Sequence, residues 1–283
     1  MSANPELEAR PLSTAAELAD DIGHDDLVVV DCRFSLAEPD RGESEYLEGH
    51  VPGAVYAHLD RDLSGPMTGT NGRHPLPSVD RMRDRFSSWG IDESARVVVY
   101  DTAGGQIAAR LWWMLRFLGH DSVAVLDGGL QAWRASGGEL GTGREERRRR
   151  EFTPRPRDGM TVDAATLSAY RLLDARVGER FRGETEPLDP VAGHIPGARN
   201  HPTRANLDEE GRFLASDILR DRLGRALEGT APQTVVSYCG SGVTACHNLL
   251  AMEVAGLPGA RLYPGSWSEW CSDSERAVET GDS

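Results

Sequence analysis

Long apolar runs are missing from this chain. Nothing in its 283 residues approaches the run of about 18 apolar positions that a membrane-spanning helix needs, so no membrane partner is expected. The opening stretch, MSANPELEAR, is polar and acidic and lacks the apolar core of a signal peptide. The expected location is therefore the cytoplasm. Cysteine is scarce. Cys32, Cys239, Cys246 and Cys271 are the only four, and none forms a CxxC pair of the zinc-binding kind. In a reducing compartment they should be thiols, and no metal is expected. An excess of positive charge is lacking too. The formal net charge of −14 argues against nucleic acid or an anionic membrane as a general partner. What is present is an ordinary globular composition, 39% hydrophobic and 27% charged, in a length that allows one large domain or two of common size.

The chain is written twice. Its first half carries LVVVDCRF (27–34), GHVPGAV (49–55), RVVVYD (96–101) and VLDGGLQAW (125–133). Its second half carries RLLDARV (171–177), GHIPGAR (193–199), TVVSYC (234–239) and LYPGSWSEW (262–270) in the same order. Two repeats of this length imply two domains of one fold rather than a solenoid. The β-branched runs do not alternate with polar residues, which fits strands buried on both faces of a parallel sheet. Helix-like segments lie between them. One is Gln106 to Arg116, with Gly119 as its stop. The expected class is α/β, with domains at 1–140 and 159–283 joined by a linker over 141–158. The linker contains Arg147-Arg148-Arg149-Arg150, which in so acidic a protein reads as a solvated run rather than an anion site.

The turns around His50 and His194 have prolines and glycines at the same places in both halves. A duplicated histidine in a duplicated turn reads as scaffold, since one nucleophile needs at most one of them.

Duplication makes one half a control for the other. At the end of equivalent strands stand Tyr100-Asp101 in the first half and Tyr238-Cys239 in the second. In open α/β sheets ligands bind beyond the carboxyl ends of the strands, so the two halves differ where chemistry is done. Gly240 and Gly242 let the backbone after Cys239 curl with its N–H groups inward. A helix starting near Val243-Thr244 adds the positive end of its dipole. Such surroundings favour a thiolate and make Cys239 the candidate nucleophile. Cys246 reads as a core residue on a helical face with Val243 and Leu250, and Cys32 and Cys271 as structural.

With these motifs in view, the chain resembles the two-domain rhodanese family of sulfurtransferases over nearly its whole length. The resemblance implies two tandem rhodanese-like domains, each a mostly parallel sheet flanked by helices, with the first lacking a catalytic cysteine. The loop Cys239-Gly240-Ser241-Gly242-Val243-Thr244 is similar to that of the family's mercaptopyruvate-using branch. It implies a sulfane sulfur carried as a persulfide on Cys239, with Gly240, Gly242, Val243 and Thr244 cradling it. The sulfur would come from a small anionic donor and pass to cyanide or a thiol acceptor, a thioredoxin-like protein among the candidates, with no cofactor. Arg180 matches the family's donor-binding arginine. Ser241, His74 and Asp60 match a Ser–His–Asp relay that protonates the leaving enolate. In Glu186-Pro187-Leu188-Asp189-Pro190, Leu188 stands where that branch has a second arginine, so thiosulfate stays open as the alternative donor, and Arg182 is a candidate to compensate.

Two other classes compete. A Cys-x5-Arg phosphatase needs an arginine six positions after the nucleophile, where Ala245 stands, and the loop holds no basic residue to meet a phosphate dianion. A non-catalytic binding module suits the first half, with Asp101 in place of cysteine, better than the second.

Overall fold

The computed structural model describes residues 10–282. They form two compact units. The first takes in Pro77–Arg157 and 209–212 besides the N-terminal residues through Ser64; the second comprises Gly65–Leu76, Asp158–Asp208 and the chain from Phe213 on. The second unit thus includes a twelve-residue segment from the first half of the sequence.

In the first unit the strands are β1 (Leu12–Ser13), β2 (Leu27–Asp31), β3 (Val55–Tyr56), β4 (Arg96–Tyr100) and β5 (Val123–Leu126), ordered β1-β5-β4-β2-β3. Every pairing is parallel, and Asp31 faces Tyr100 at the upper end of the central pair. Every residue of β2 is buried, as a sheet covered on both faces requires. The helix Ala108–Phe117 is buried from Ala108 through Leu115, and Gly119, at φ 85°, ends it. Leu27, Val29, Val98, Tyr100, Leu126, Leu130 and Trp133 form one core cluster.

The second unit has β6 (Arg171–Asp174), β7 (Arg199–Asn200), β8 (Val235–Tyr238) and β9 (Arg261–Leu262), again all parallel, in the order β7-β6-β8-β9. A parallel bridge between Thr161 and Leu262 stands where β1 pairs β5 in the first unit. Asp174 faces Tyr238, and the helix Ala245–Val254 is buried from Ala245 through Met252. The expected α/β architecture is present twice.

The duplicated turns do structural work in both copies. His50 and His194 are fully buried. Each presents Nδ1 to a backbone carbonyl, Tyr46 or Phe181, at 2.7 Å, so Nδ1 carries the proton. Two buried arginines do likewise. Arg33 links Asp31 to the Gly49 carbonyl, and Arg176 links Asp174 to the Gly193 carbonyl.

The stretch expected to be a solvated linker is a strap on the first unit. Phe152 is buried against Phe86, and the Arg155 and Arg157 amides bond the carbonyls of Leu118 and Phe117. Arg149 and Arg150 reach Asp84 and Asp92. Two arginines of the run thus answer carboxylates of the first unit, which periodicity alone does not reveal.

Candidate active site

Strand β8 delivers Cys239 to the carboxyl edge of the second sheet, almost fully buried. Its amide donates to Ser266 Oγ at 3.1 Å, and its carbonyl accepts from the Trp267 amide at 3.0 Å. Ser266 holds this position at a cost. It lies in the left-handed region at φ 54°, where a non-glycine residue is strained by about 1–3 kcal/mol. Its counterpart in the repeat is Gly129, at φ 57°, where a Cβ would sit 2.2 Å from the Asp101 carbonyl oxygen. The second half accepts the strained conformation and gains a hydroxyl that fixes the Cys239 amide.

The loop after Cys239 turns on Gly242, at φ 76°. A Cβ there would meet the Pro264 carbonyl oxygen at 2.2 Å, so no other residue fits. The thiol of Cys246 donates to the Gly242 carbonyl at 3.5 Å from inside the helix Ala245–Val254. The amides of Gly240, Ser241, Val243, Thr244 and Ala245 make no hydrogen bond to another described residue. Unpaired amides at the start of a helix form an anion cradle.

The first unit shows such a cradle filled. The Asp101 carboxylate accepts from the amides of Ala103, Gly105, Ile107 and Ala108, each at 2.8–2.9 Å. The loop after β4 thus folds its N–H groups around a negative charge supplied by its own strand end. In the second unit the residue at the equivalent strand end is Cys239, and the loop amides have no such carboxylate among them.

The other candidates fall as follows. Ser241 and His74 meet. His74 Nδ1 lies 2.7 Å from Ser241 Oγ, with both residues buried. Residues 65–76 belong to the second unit, which explains how a first-half histidine reaches a second-half loop. Asp60 lies in the first unit, in the short helix Leu59–Asp62, where its amide donates to the capping His58 Nδ1. Arg180 flanks the loop: a Cβ built on Gly240 would lie 3.4 Å from its Nη1. Arg180 also pairs with Glu186 at 2.7 Å and Asp189 at 3.2 Å. Glu186 is buried, which would raise its pKa, but Arg180 and the amides of Leu188 and Asp189 hold it below the usual carboxylate range. Val243 is buried behind the loop, and Thr244 begins the helix without capping it.

Leu188 is exposed, with only its amide engaged, on Glu186. Arg182 pairs with Glu184 at 2.6 Å and reaches toward Asp282. Cys32 and Cys271 are buried free thiols whose surroundings push their pKa values up, chiefly through desolvation.

Sequence reasoning missed Arg73, Asp189, Ser266 and Ser268. Arg73 pairs with Asp189, and its amide donates to Ser268 Oγ at 3.0 Å. Ser268 in turn donates its amide to the Gly240 carbonyl at 2.9 Å. Arg73 adjoins His74 in sequence, and that adjacency was the available signal.

A strand-end cysteine above a parallel sheet, in a loop of amides without a partner among the described residues, repeated without the cysteine in a twin unit, defines a tandem rhodanese architecture. The chain belongs to the rhodanese-like domain family, whose model matches residues 14–136 and 162–273. It is 48% identical to the probable 3-mercaptopyruvate sulfurtransferase of Pseudomonas aeruginosa, over 98% of this chain and 100% of that one. It is 44% identical to a putative thiosulfate sulfurtransferase of Mycobacterium tuberculosis, over 95% and 97%. Among solved structures, the 3-mercaptopyruvate sulfurtransferase from Leishmania major superposes with a TM-score of 0.83 at 31% identity, covering 95% of this chain and 75% of that one.

Proposed function

We propose that the chain is a sulfurtransferase that takes a sulfane sulfur from 3-mercaptopyruvate onto Cys239 and passes it to a thiol or cyanide. The observation that carries this reading is the Cys239 loop: a buried strand-end thiol, five amides without a partner among the described residues, and a hydroxyl–imidazole pair two residues on.

The thiolate of Cys239 attacks the donor sulfur. A sulfur–sulfur bond forms, the carbon–sulfur bond breaks, and its electron pair leaves on carbon as the enolate of pyruvate. The Ser241 hydroxyl donates a proton to that carbon and is reprotonated through His74. The family resemblance gives Asp60 as the third member of that relay. The loop amides hold the negative sulfur before and after transfer. An acceptor thiolate then attacks the outer sulfur and returns Cys239 as thiolate; with cyanide the product is thiocyanate. Among the described residues no helix is long and apolar enough to cross a membrane, and we place the reaction in the cytoplasm, with a thioredoxin-like protein as one candidate acceptor.

Thiosulfate is the second donor to consider, given the name of the Mycobacterium tuberculosis relative. The loop from Gly240 to Thr244 offers no basic side chain to a dianion, and a sulfite leaving group needs no proton from Ser241. Steady-state comparison of kcat/KM for the two donors tests the reading. Mercaptopyruvate should be preferred by at least about tenfold, or about 1.4 kcal/mol. A clear preference for thiosulfate would overturn the donor and leave the Cys239 persulfide standing.

A further inference from the structure

Leu188 leaves the donor with a single expected arginine, yet the structure brings a second guanidinium to the loop from another part of the chain. A Cβ on Gly240 would lie 3.0 Å from Arg73 Nη2, and 3.4 and 3.5 Å from the two Nη atoms of Arg180. Arg73 and Arg180 therefore both flank the residue that follows Cys239. They also share one counter-ion. Arg73 pairs with Asp189 Oδ1 and Arg180 with Asp189 Oδ2. The Asp189 side chain is 3% exposed, whereas those of Arg73 and Arg180 are 25% and 15% exposed. Solvent and small solutes thus reach the two arginine side chains far more than the carboxylate they share.

Arg73 is held in place from both sides. Its own amide is on Ser268, Ser268 is on the Gly240 carbonyl, and the next residue, His74, is on Ser241. One of its five N–H donors serves Asp189; Nη2, the atom nearest Gly240, has no acceptor among the described residues. The chain contains no lysine, so all 31 basic side chains are arginines, the type that binds a planar carboxylate through paired bonds.

We propose that Arg73 is the second arginine of the anion clamp and, with Arg180, binds the carboxylate of the sulfur donor at the Cys239 loop. The identity of the donor rests on the sulfurtransferase reading; the anion preference of the cleft does not.

Alkylation of Cys239 separates the two. Iodoacetate and iodoacetamide attack the same thiolate and differ in charge, so the ratio of their rates, followed by intact mass, cancels changes in the nucleophile. Arg73→Met should lower the iodoacetate-to-iodoacetamide ratio by about tenfold, the loss of one charged hydrogen bond. Arg180→Met should do the same, Arg73→Lys should retain part of the preference, and Leu188→Ala should leave it unchanged. The KM for 3-mercaptopyruvate should rise by about tenfold in Arg73→Met with kcat little altered, and adding Leu188→Arg should recover part of that rise. A ratio within twofold of wild type in a folded Arg73→Met, or an equal fall in both alkylation rates, would overturn the assignment. If wild type shows the anion preference but takes no sulfur from mercaptopyruvate, the clamp stands and the donor reading fails.

Discussion

His74 Nδ1 sits 2.7 Å from the hydroxyl of Ser241, and both side chains are buried beside the strand-end cysteine. The two residues lie 167 positions apart. Their meeting depends on residues 65–76 being part of the second unit. Such a pair can move a proton without admitting bulk water. Ser241→Ala and His74→Ala should each slow mercaptopyruvate turnover by about 10²–10⁴, the usual contribution of general acid catalysis. Thiosulfate turnover, which releases sulfite, should change much less. Single-turnover pyruvate release checks this. Equal slowing with both donors would make the pair structural.

Asp101 predicts a stability effect without an activity effect. Its carboxylate is the acceptor for four amides and is buried. Asp101→Ala leaves those donors without a partner, at a cost of at least about 3 kcal/mol. Calorimetry should show the transition of the first unit shifted down, with Asp101→Asn intermediate. Sulfur loading at Cys239 below that transition should persist. An unchanged Tm would mean that the loop does not depend on the charge.

How legible was this in the sequence? The repeat exposed the fold, because buried parallel strands read as β-branched runs and both copies agreed. The repeat also exposed Cys239, because the copies disagree there. Arg73 was hidden because its counterpart in the repeat, Arg212 in Gly211-Arg212-Phe213, is an arginine too, so the copies do not differ there as they do at Cys239. Its place beside Gly240 depends on Ser268, which accepts its amide and bonds the Gly240 carbonyl, and on Asp189, and that is tertiary information. Ser266 was hidden for a different reason: a serine in the left-handed region is improbable locally and stable only because Cys239 and Tyr263 bond its hydroxyl. The arginine run at 147–150 looked like linker because its carboxylate partners, Asp84 and Asp92, lie far off in sequence.

The buried network of His201, Asn206 and Asn248 carries a pH dependence. His201 Nε2 meets Asn206 Oδ1 at 2.8 Å, and Asn206 donates to Asn248 at 2.8 Å. Desolvation holds the folded His201 pKa below its ordinary value of about 6.5. Above that value both folded and unfolded states are neutral, and the contribution to stability is fully present. As pH falls through it, the unfolded chain takes up the proton first, and stability declines by up to about 1.4 kcal/mol per pH unit. His120, also shifted down by burial, adds a slope of the same sign. His201→Gln should therefore flatten, without abolishing, the fall in unfolding free energy between about pH 6.5 and 5.5. Urea unfolding at several pH values measures it; a variant with the wild-type slope would show that His201 titrates alike in both states.

The nucleophile itself is the most direct test. Cys239 stands at the strand end, in the amide loop, while Cys246 is fixed inside a helix with its thiol on the Gly242 carbonyl. Cys32 and Cys271 are buried with raised pKa values. Intact-mass spectrometry after brief exposure to 3-mercaptopyruvate should show one added sulfur on the wild-type chain, removed by cyanide as thiocyanate. The same single sulfur should appear on Cys246→Ala and be absent from Cys239→Ala. Sulfur that still loads onto folded Cys239→Ala would contradict the account.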